Sequence, residues 1–298
     1  MTDHTPSLSP GARFRAALSD SPLLIPGAFN AAVARLAERA GFRAVYQSGA
    51  ALSASLAAVP DVGLITAAEF AEQGQYLAQA VDIPVISDAD TGFGGPLAVE
   101  RTVQLYESAG LAGLHLEDQQ MPKRCGHLSG KSLVPVDEMA AKIRAAAAAR
   151  RDQKFLIIAR TDARGVTGLE DALERAAAYV DAGADMVFPE ALQSADEFAA
   201  FAESATVPLM ANMTEFGKSP LLTAEELGRL GYAAILLPVT LFRIAMKSVE
   251  SALAEIASAG TQRGLLDAMQ TRAELYELLR YEEYDARDRA YSSGTEMP

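Results

Sequence analysis

The sequence predicts an α/β fold, a (β/α)8 TIM-type barrel, from three observations. Short runs of β-branched and other apolar residues alternate with longer alanine-rich segments of helical period, as in repeated βα units around a parallel sheet. Eight such runs can be counted, and the chain of 298 residues is a little longer than the ~250 residues typical of that barrel. No linker rich in Pro, Gly or Ser divides it, so we expect a single domain over residues 1–298. A doubly wound open sheet is the alternative.

The order of the elements follows from the apolar runs and from the glycines between them. The predicted strands cover residues 23–29, 44–49, 84–90, 113–118, 155–162, 186–190, 207–212 and 233–239. Gly41, Gly110, Gly183 and Gly231 each stand just before a strand, where a left-handed residue commonly ends a helix. From about residue 241 onward the sequence predicts two or more helices, whereas one is enough to close a barrel. We expect this C-terminal extension to cover the barrel or to dock on a neighbouring subunit.

Composition excludes several classes of partner and location. With 39 acidic residues against 26 Lys and Arg, the net charge of −13 argues against nucleic acid or an anionic membrane as partner. A single cysteine cannot form an internal disulfide, and neither a secretory signal nor an apolar run of about 18 residues is found. We therefore expect a cytoplasmic protein. An anionic small molecule would need a local basic pocket, for which Lys123 and Arg124 are the first candidates.

Polar side chains collect where the predicted strands end, which is where such a barrel holds its active site. They are Tyr46 and Ser48, Asp88 and Asp90, Glu117, Arg160 and Asp162, Glu190, and Asn212 with Thr214. Asp118 is expected to serve the fold instead.

Two of these acids predict a metal site. Asp88 and Asp90 lie two apart on an extended segment, so both carboxylates can reach a common ion. Hard oxygen ligands without Cys or His favour Mg2+, or Mn2+, over zinc. Because Mg2+ keeps several waters, Glu117 at the end of the next strand is expected to act through water.

The only cysteine, Cys125, lies in the segment Lys123-Arg124-Cys125-Gly126-His127. Two adjacent cations and an imidazole are expected to lower the pKa of its thiol and make it reactive. Gly126 allows close approach of the backbone to a ligand. His115, by contrast, lies within an apolar strand, where a core histidine with a hydrogen-bond partner is expected.

Four segments of the chain resemble the isocitrate lyase and phosphoenolpyruvate mutase superfamily, in particular the members that cleave 2-methylisocitrate. They are PVISDADTGFG (84–94), EDQQMPKRCGHLSGK (117–131), TEFGKSPLLTAEEL (214–227) and GTQRGLLDAMQTRAELYEL (260–278). The resemblance implies a (β/α)8 barrel whose last helix is exchanged with a neighbour, in a homotetramer built as a dimer of dimers. It also implies a Mg2+-dependent cleavage of 2-methylisocitrate to pyruvate and succinate in propionate breakdown.

The resemblance further implies roles for individual residues toward a small di- or tricarboxylate. Asp88 and Asp90 would hold Mg2+, with Glu117 near it, and Lys123, Cys125 and His127 would be catalytic on a closing loop. Substrate would be bound by Ser48, Gly49, Ala50, Gly126, Arg160, Glu190, Asn212, Met213, Thr214, Arg243 and Arg272. Where the superfamily usually has Ser-Gly-Gly, this chain has Ser48-Gly49-Ala50, and the added methyl group narrows the space beside a carboxylate.

A retro-aldol cleavage of this kind needs a base, a Lewis acid and a proton donor. Mg2+ would be the Lewis acid, Cys125 the proton donor to the leaving carbanion, and Tyr46 the candidate base, if metal or cations lower its pKa. Phe188, Leu236 and Pro238 correspond to the pocket for the substrate methyl group. Isocitrate and dimethylmalate are alternative substrates. From other classes, a metal-free cysteine hydrolase with Cys125 activated by His127, and an inactive barrel that binds carboxylates, remain open.

Overall fold

The computed structural model describes residues 8–20 and 22–293. The chain divides into two compact units, Met1–Phe242 and Arg243–Pro298, and each is described separately. Among the described residues, no helix combines the length and apolar character that crossing a lipid bilayer requires.

The first unit has an α/β fold, and all eight predicted strands are confirmed. The strands are β1 (Leu23–Pro26), β2 (Val45–Gln47), β3 (Val85–Asp88), β4 (Gly113–Glu117), β5 (Leu156–Thr161), β6 (Met186–Pro189), β7 (Met210–Asn212) and β8 (Ala234–Leu237). Each lies within its predicted range but is shorter. Their pairings are parallel, as the alternation with helices predicts.

The strands form two sheets that single bridges connect. One sheet has the order β2-β3-β4-β5-β6 and the other β1-β8-β7. Parallel bridges pair Gly27 with Tyr46 and Val187 with Leu209, so β1 lies beside β2 and β6 beside β7. Consecutive strands are therefore neighbours, and their carboxyl ends lie at the same edge.

The helices alternate with the strands. The structure has α1 (Pro10–Ala17), α2 (Ala31–Arg39), α3 (Gly49–Ala57), α4 (Ala67–Ala80), α5 (Pro96–Ser108), α6 (Val136–Ala149), α7 (Leu169–Asp181), α8 (Ala195–Ser204), α9 (Ala224–Arg229), α10 (Thr240–Ala259), α11 (Arg272–Leu278) and α12 (Tyr281–Ser293). The four glycines predicted to end helices have φ between +83° and +109°, which confirms the prediction.

Three apolar clusters form the core of the first unit. One cluster consists of strand side chains such as Ile86, Ile158 and Phe188, and Phe14 of α1 packs into it. The other two join the opposite faces of the strands to the helices, as Val103 of α5 and Phe201 of α8 do. Burial on both faces explains why the strands are continuous apolar runs.

The second unit contains most of α10, a 3-10 helix (Arg263–Ala268), α11 and α12. Two or more helices after residue 241 are thereby confirmed. The 3-10 helix and α11 are separate elements, because Thr271 and Glu274 form a capping box that starts α11. Leu278 is buried here, whereas side chains such as Leu253, Leu275 and Tyr284 are exposed.

Candidate active site

The polar strand ends come together at one edge of the sheets. Asp88 and Glu117 are the last residues of β3 and β4, Arg160 lies near the end of β5, Glu190 follows β6, and Asn212 ends β7. All five are buried. The register pairs Glu117 with Arg160 directly, and their side chains lie 3.4 Å apart.

A hydrogen bond joins Asp88 and Asp90. Contrary to what the sequence suggested, the two residues do not lie on one extended segment. β3 ends at Asp88, and Asp90 has a left-handed φ of +46°. The N–H of Asp90 donates to Oδ1 of Asp88 at 2.9 Å, and the N–H of Gly49 donates to its Oδ2 at 3.2 Å. A turn therefore brings the two acids together.

Several buried carboxylate oxygens lack hydrogen bonds. Both oxygens of Glu117 accept no hydrogen bond among the described residues, and Oδ1 of Asp90 has only its ion pair with Lys123. Burial raises the pKa of Glu117 well above its usual value, and burial together with Asp88 raises that of Asp90 to about 7. Burial also opposes ionisation of Asp88, but the charges of Lys123 and Arg160 and the N–H of Asp90 outweigh it and lower its pKa. An additional cation would stabilise all three carboxylates, so this oxygen-rich set fits a hard divalent ion.

Lys123 contacts this acidic cluster from the cysteine-containing segment. Its Nζ lies 2.7 Å from Oδ1 of Asp90 and forms an ion pair with Asp61. Burial opposes its charge, but the surrounding carboxylates, first Glu117, raise its pKa well above the usual value. Among the described residues no group of three or more His, Cys, Asp or Glu has an arrangement suited to a metal ion. In this structure Lys123 supplies the positive charge beside these acids. A set of three or more ligands is not required for Mg2+, because this ion needs only one or two carboxylates directly.

The pKa of the Cys125 thiol is raised, mainly by burial, which corrects the expectation of a lowered value. The two cations beside Cys125 in sequence do not stabilise its thiolate, because Lys123 pairs with Asp61 and Asp90 while Arg124 is exposed. The thiol is therefore neutral near pH 7. A proton donor must be the neutral thiol, whereas a nucleophile must be the thiolate.

The backbone of Gly126 packs directly on two site residues. A Cβ at this position would contact the Nη2 of Arg160 and lie 2.5 Å from Cγ of Glu190, so only glycine fits. Nζ of Lys131 donates to the carbonyl of Gly126 and lies 2.8 Å from Oδ1 of Asp162. This lysine ties the cysteine segment to the end of β5.

His127 and Asn212 both contact Glu190. His127 Nε2 lies 2.8 Å from Oε1 of Glu190, and Asn212 Nδ2 donates to Oε2 at 3.2 Å. Nδ1 of His127 accepts a hydrogen bond from the N–H of Lys218 at 2.9 Å. Burial opposes ionisation of Glu190, but Arg160 and His127 lower its pKa. Glu190 is thus a carboxylate.

Tyr46 and His115 form a buried pair, with 2.7 Å between the hydroxyl oxygen and Nε2. Burial lowers the pKa of His115 to about 4, so the imidazole is neutral, and it is the partnered core histidine that the sequence predicted. Burial and the charge of Asp88 raise the pKa of Tyr46 well above 10. Tyr46 is therefore a phenol, not the readily ionised base that the sequence suggested.

The segment Ser48-Gly49-Ala50 forms the start of α3. The hydroxyl of Ser48 accepts a hydrogen bond from the N–H of Ala51 at 3.4 Å. The first N–H groups of this nine-residue helix lie beside Asp88, and such a terminus favours a bound carboxylate.

Comparisons with known proteins identify the family of this chain. A family profile described as phosphoenolpyruvate phosphomutase matches residues 14–257. The chain belongs to this family. A 2-methylisocitrate lyase from Aeropyrum pernix is 51% identical over 288 residues, which cover 96% of this chain and 92% of that protein.

Two solved structures extend the comparison within the superfamily of phosphoenolpyruvate mutase and isocitrate lyase. A 2,3-dimethylmalate lyase superimposes with a TM-score of 0.90 at 34% identity, covering 97% of both chains. A phosphonopyruvate hydrolase in complex with oxalate and Mg2+ has a TM-score of 0.87 at 34% identity, covering 95% of this chain and 99% of that one.

Not every residue carried over from the phosphomutase family joins the polar cluster. The side chain of Met213 lies in an apolar cluster, where its sulfur accepts a hydrogen bond from Leu222 N–H. The backbone N–H of Met213 donates to the carbonyl of Leu236 at 2.9 Å, so neither group is free to bind a carboxylate. Thr214 is buried just after β7. Arg243 and Arg272 belong to the second unit.

Two polar residues in or beside the site were missed by sequence reasoning. Asp61 pairs with Lys123, and Lys131 holds the cysteine segment to Asp162. Asp61 follows Pro60 in the loop between α3 and α4, on the carboxyl side of β2, and this position was the available signal.

Proposed function

We propose that this protein is a Mg2+-dependent lyase that cleaves 2-methylisocitrate to pyruvate and succinate by retro-aldol chemistry, as in propionate breakdown. One feature of the site supports this activity most directly. A neutral thiol, Cys125, is carried by a segment that packs against Arg160 and Glu190, beside carboxylates with unpartnered oxygens. The 51% identity to a 2-methylisocitrate lyase supports the choice of substrate.

The cation is assigned to the acids at the ends of β3 and β4. Asp88 and Asp90 would hold Mg2+, with Glu117 acting through water. When bound, the ion supplies positive charge for the hydroxyl and carboxylate of the half that becomes pyruvate. The N-terminus of α3 at Ser48, Gly49 and Ala50 binds the same carboxylate through backbone N–H groups, which the methyl group of Ala50 leaves in place.

Tyr46 and His115 together act as the base. The raised pKa of Tyr46 opposes a free phenolate, but its hydroxyl proton can pass to the neutral His115 as the substrate hydroxyl gives its proton to Tyr46. The oxygen electron pair then forms the carbonyl of pyruvate, and the C–C bond breaks toward the carbon that becomes part of succinate. The thiol of Cys125 donates its proton to that carbon.

The remaining polar groups hold the succinate half of the substrate. Arg160, which lies 3.2 Å from Glu190, is assigned to the developing negative charge, while His127 and Asn212 orient Glu190. Thr214 is proposed as a further contact to a substrate carboxylate.

Substrate selection within this chemistry is assigned to apolar side chains. Phe188 and Leu236 lie in the same buried cluster as Tyr46, and with Pro238 they form the proposed pocket for the methyl group. One methyl group is worth only about 1–3 kcal/mol in such a pocket, so measurable turnover of isocitrate is expected. Cleavage of dimethylmalate is the second candidate, favoured by the likeness to a 2,3-dimethylmalate lyase.

We further propose that the eight strands close a (β/α)8 barrel and that the protein is a cytoplasmic homotetramer, a dimer of dimers with exchanged C-terminal helices. The bridges that join the two sheets support closure. The exposed apolar side chains of the second unit support burial against another subunit. Light scattering during size-exclusion chromatography should give four times the 31.5 kDa chain mass. A monomeric mass would contradict the assembly.

The activity is tested with 2-methylisocitrate, isocitrate and 2,3-dimethylmalate, with Mg2+, with Mn2+ and with chelator. The 2-oxo acid product is followed as its phenylhydrazone, which reports pyruvate and glyoxylate alike. Metal-dependent product from 2-methylisocitrate above the other two supports the proposal. Turnover that persists without metal, together with an acyl adduct on Cys125, would support the cysteine hydrolase, and bound substrate with no 2-oxo acid would support the inactive barrel.

A further inference from the structure

The imidazole of His127 is held at both of its nitrogens by groups from different elements. Nδ1 lies 2.9 Å from the backbone nitrogen of Lys218, in the segment after β7. Nε2 lies 2.8 Å from Oε1 of Glu190, which follows β6. A ring nitrogen can accept a hydrogen bond only where it carries no proton, so these two partners decide the protonation state of the ring.

We propose that the backbone of Gly217 and Lys218 is a positioning element that fixes His127 as the neutral tautomer with its proton on Nε2. In the lyase reaction proposed above, on which this role depends, His127 then acts as a hydrogen-bond donor and as neither a base nor a cation. The N–H of Lys218 cannot be deprotonated in any accessible state, so Nδ1 must offer its lone pair. The carboxylate of Glu190 is an acceptor, so the ring proton lies on Nε2.

Nearby groups agree with this assignment. The amide of Asn212, whose Nδ2 lies 3.5 Å from Nε2 of His127, already donates to both oxygens of Glu190. Arg160, 3.2 Å from Oε2 of Glu190, keeps that carboxylate ionised. The carboxylate can therefore accept from the imidazole without taking its proton.

The close approach of the backbone to His127 depends on glycine. A Cβ on Gly217 would lie 2.5 Å from Nδ1 of His127, 2.8 Å from Cε1 and 3.0 Å from Cγ. Any other side chain at residue 217 would push the imidazole away from the N–H of Lys218. The same contact prevents His127 from serving as the base of a cysteine hydrolase, because Nδ1 is occupied and Nε2 already carries the proton.

The direct test is the 15N spectrum of the histidine side chains. The chain has three histidines, and the spectrum of a His127→Gln variant identifies the resonances of His127. Magic-angle-spinning NMR on sedimented, 15N-histidine-labelled protein does not depend on assembly size. At pH 7 we expect an unprotonated, pyridine-type Nδ1 and a protonated, pyrrole-type Nε2. An imidazolium, the opposite tautomer, or a rapidly averaged mixture in the wild-type protein would overturn the proposal.

Two variants of one residue separate the backbone N–H from the side chain. Lys218→Pro removes the N–H and should release the tautomer, so that the signals of the two ring nitrogens are averaged. We expect kcat to fall by about 10–100-fold with KM little changed, as when a histidine loses the hydrogen-bond partner that orients it. Lys218→Ala keeps the N–H and should preserve both the spectrum and kcat. Equal effects of the two substitutions would refute the role of the N–H.

The wild-type spectrum decides the assignment even if Lys218→Pro does not fold. It also requires no substrate. If the protein shows the predicted tautomer but yields no 2-oxo acid, the proposed activity is rejected and this inference stands. If the enzyme is active but shows another tautomer, the proposed activity stands and this inference is rejected.

Discussion

Replacing Gly126 by alanine tests whether the cysteine segment must lie where the structure has it. The added Cβ would be 2.5 Å from Cγ of Glu190, against at least 3.4 Å for an ordinary contact, so something must shift by about 0.9 Å. Glu190 cannot easily yield, because the N–H of Ala191 and the amide of Asn212 hold its carboxylate. The displaced group is therefore the segment that carries Cys125. Misplacement of a reacting group by about 1 Å costs on the order of 100-fold in rate.

The measurement is kcat for 2-oxo acid release with saturating Mg2+, accompanied by thermal unfolding followed by circular dichroism. Gly95→Ala is the matched control, since no heavy atom lies within 4 Å of a Cβ built there and its φ is not positive. We expect Gly126→Ala to lose about 100-fold in kcat and the control to keep wild-type activity. A Gly126→Ala enzyme within about twofold of wild type, under 0.5 kcal/mol in activation free energy, would show that the position of the segment does not matter.

Further predictions concern the thiol, the metal and the support of β5. Cys125→Ser should retain substrate binding, measured by calorimetry, and lose turnover, and near-normal rates would remove the thiol from the mechanism. Because burial raises the thiol pKa, less thiolate is present at neutral pH, so the midpoint of Cys125 alkylation by iodoacetamide should lie above the ~8.5 of free cysteine. A midpoint at or below that value would contradict a raised pKa. Chelation should abolish turnover and added Mg2+ restore it, whereas Asp88→Asn should not be restored. Asp118→Asn places an NH2 group facing two donors, Thr161 Oγ1 and Tyr179 OH, each 2.8 Å from Oδ2 of Asp118. The substitution should lower the free energy of unfolding in urea by about 2–4 kcal/mol. An unchanged midpoint of urea unfolding would contradict this.

The eight strands and the glycine caps could be predicted because their causes are local. A strand buried on both faces reads as an apolar run, and a left-handed helix end favours glycine over all other residues. Asp118 could be separated from Glu117 for a similar reason, since neighbouring residues of a strand point to opposite faces. It turns away from the site and accepts hydrogen bonds from Thr161, Tyr179 and the backbone N–H of Asp162.

The electrostatic state of the site could not be predicted, because it depends on partners distant in sequence. Lys123 and Arg124 stand beside Cys125 in the chain, yet Lys123 pairs with Asp61, 62 residues earlier. The thiol is left with burial as its main influence, which reverses the direction of its pKa shift. Sequence adjacency identified Cys125 as a candidate but assigned its thiol pKa the wrong direction of shift.

An acidic protein that binds an acidic substrate needs positive charge at the point of contact, and the fixed cations here are already in use. Lys123 pairs with two carboxylates, and Arg160 contacts Asp162, Glu117 and Glu190. Their net attraction for a further carboxylate is correspondingly small. The N-terminus of α3 offers partial charge only. A divalent cation is therefore needed for substrate binding as well as for the C–C cleavage, so chelator should weaken binding of 2-methylisocitrate to the Cys125→Ser enzyme, in which no chemistry follows.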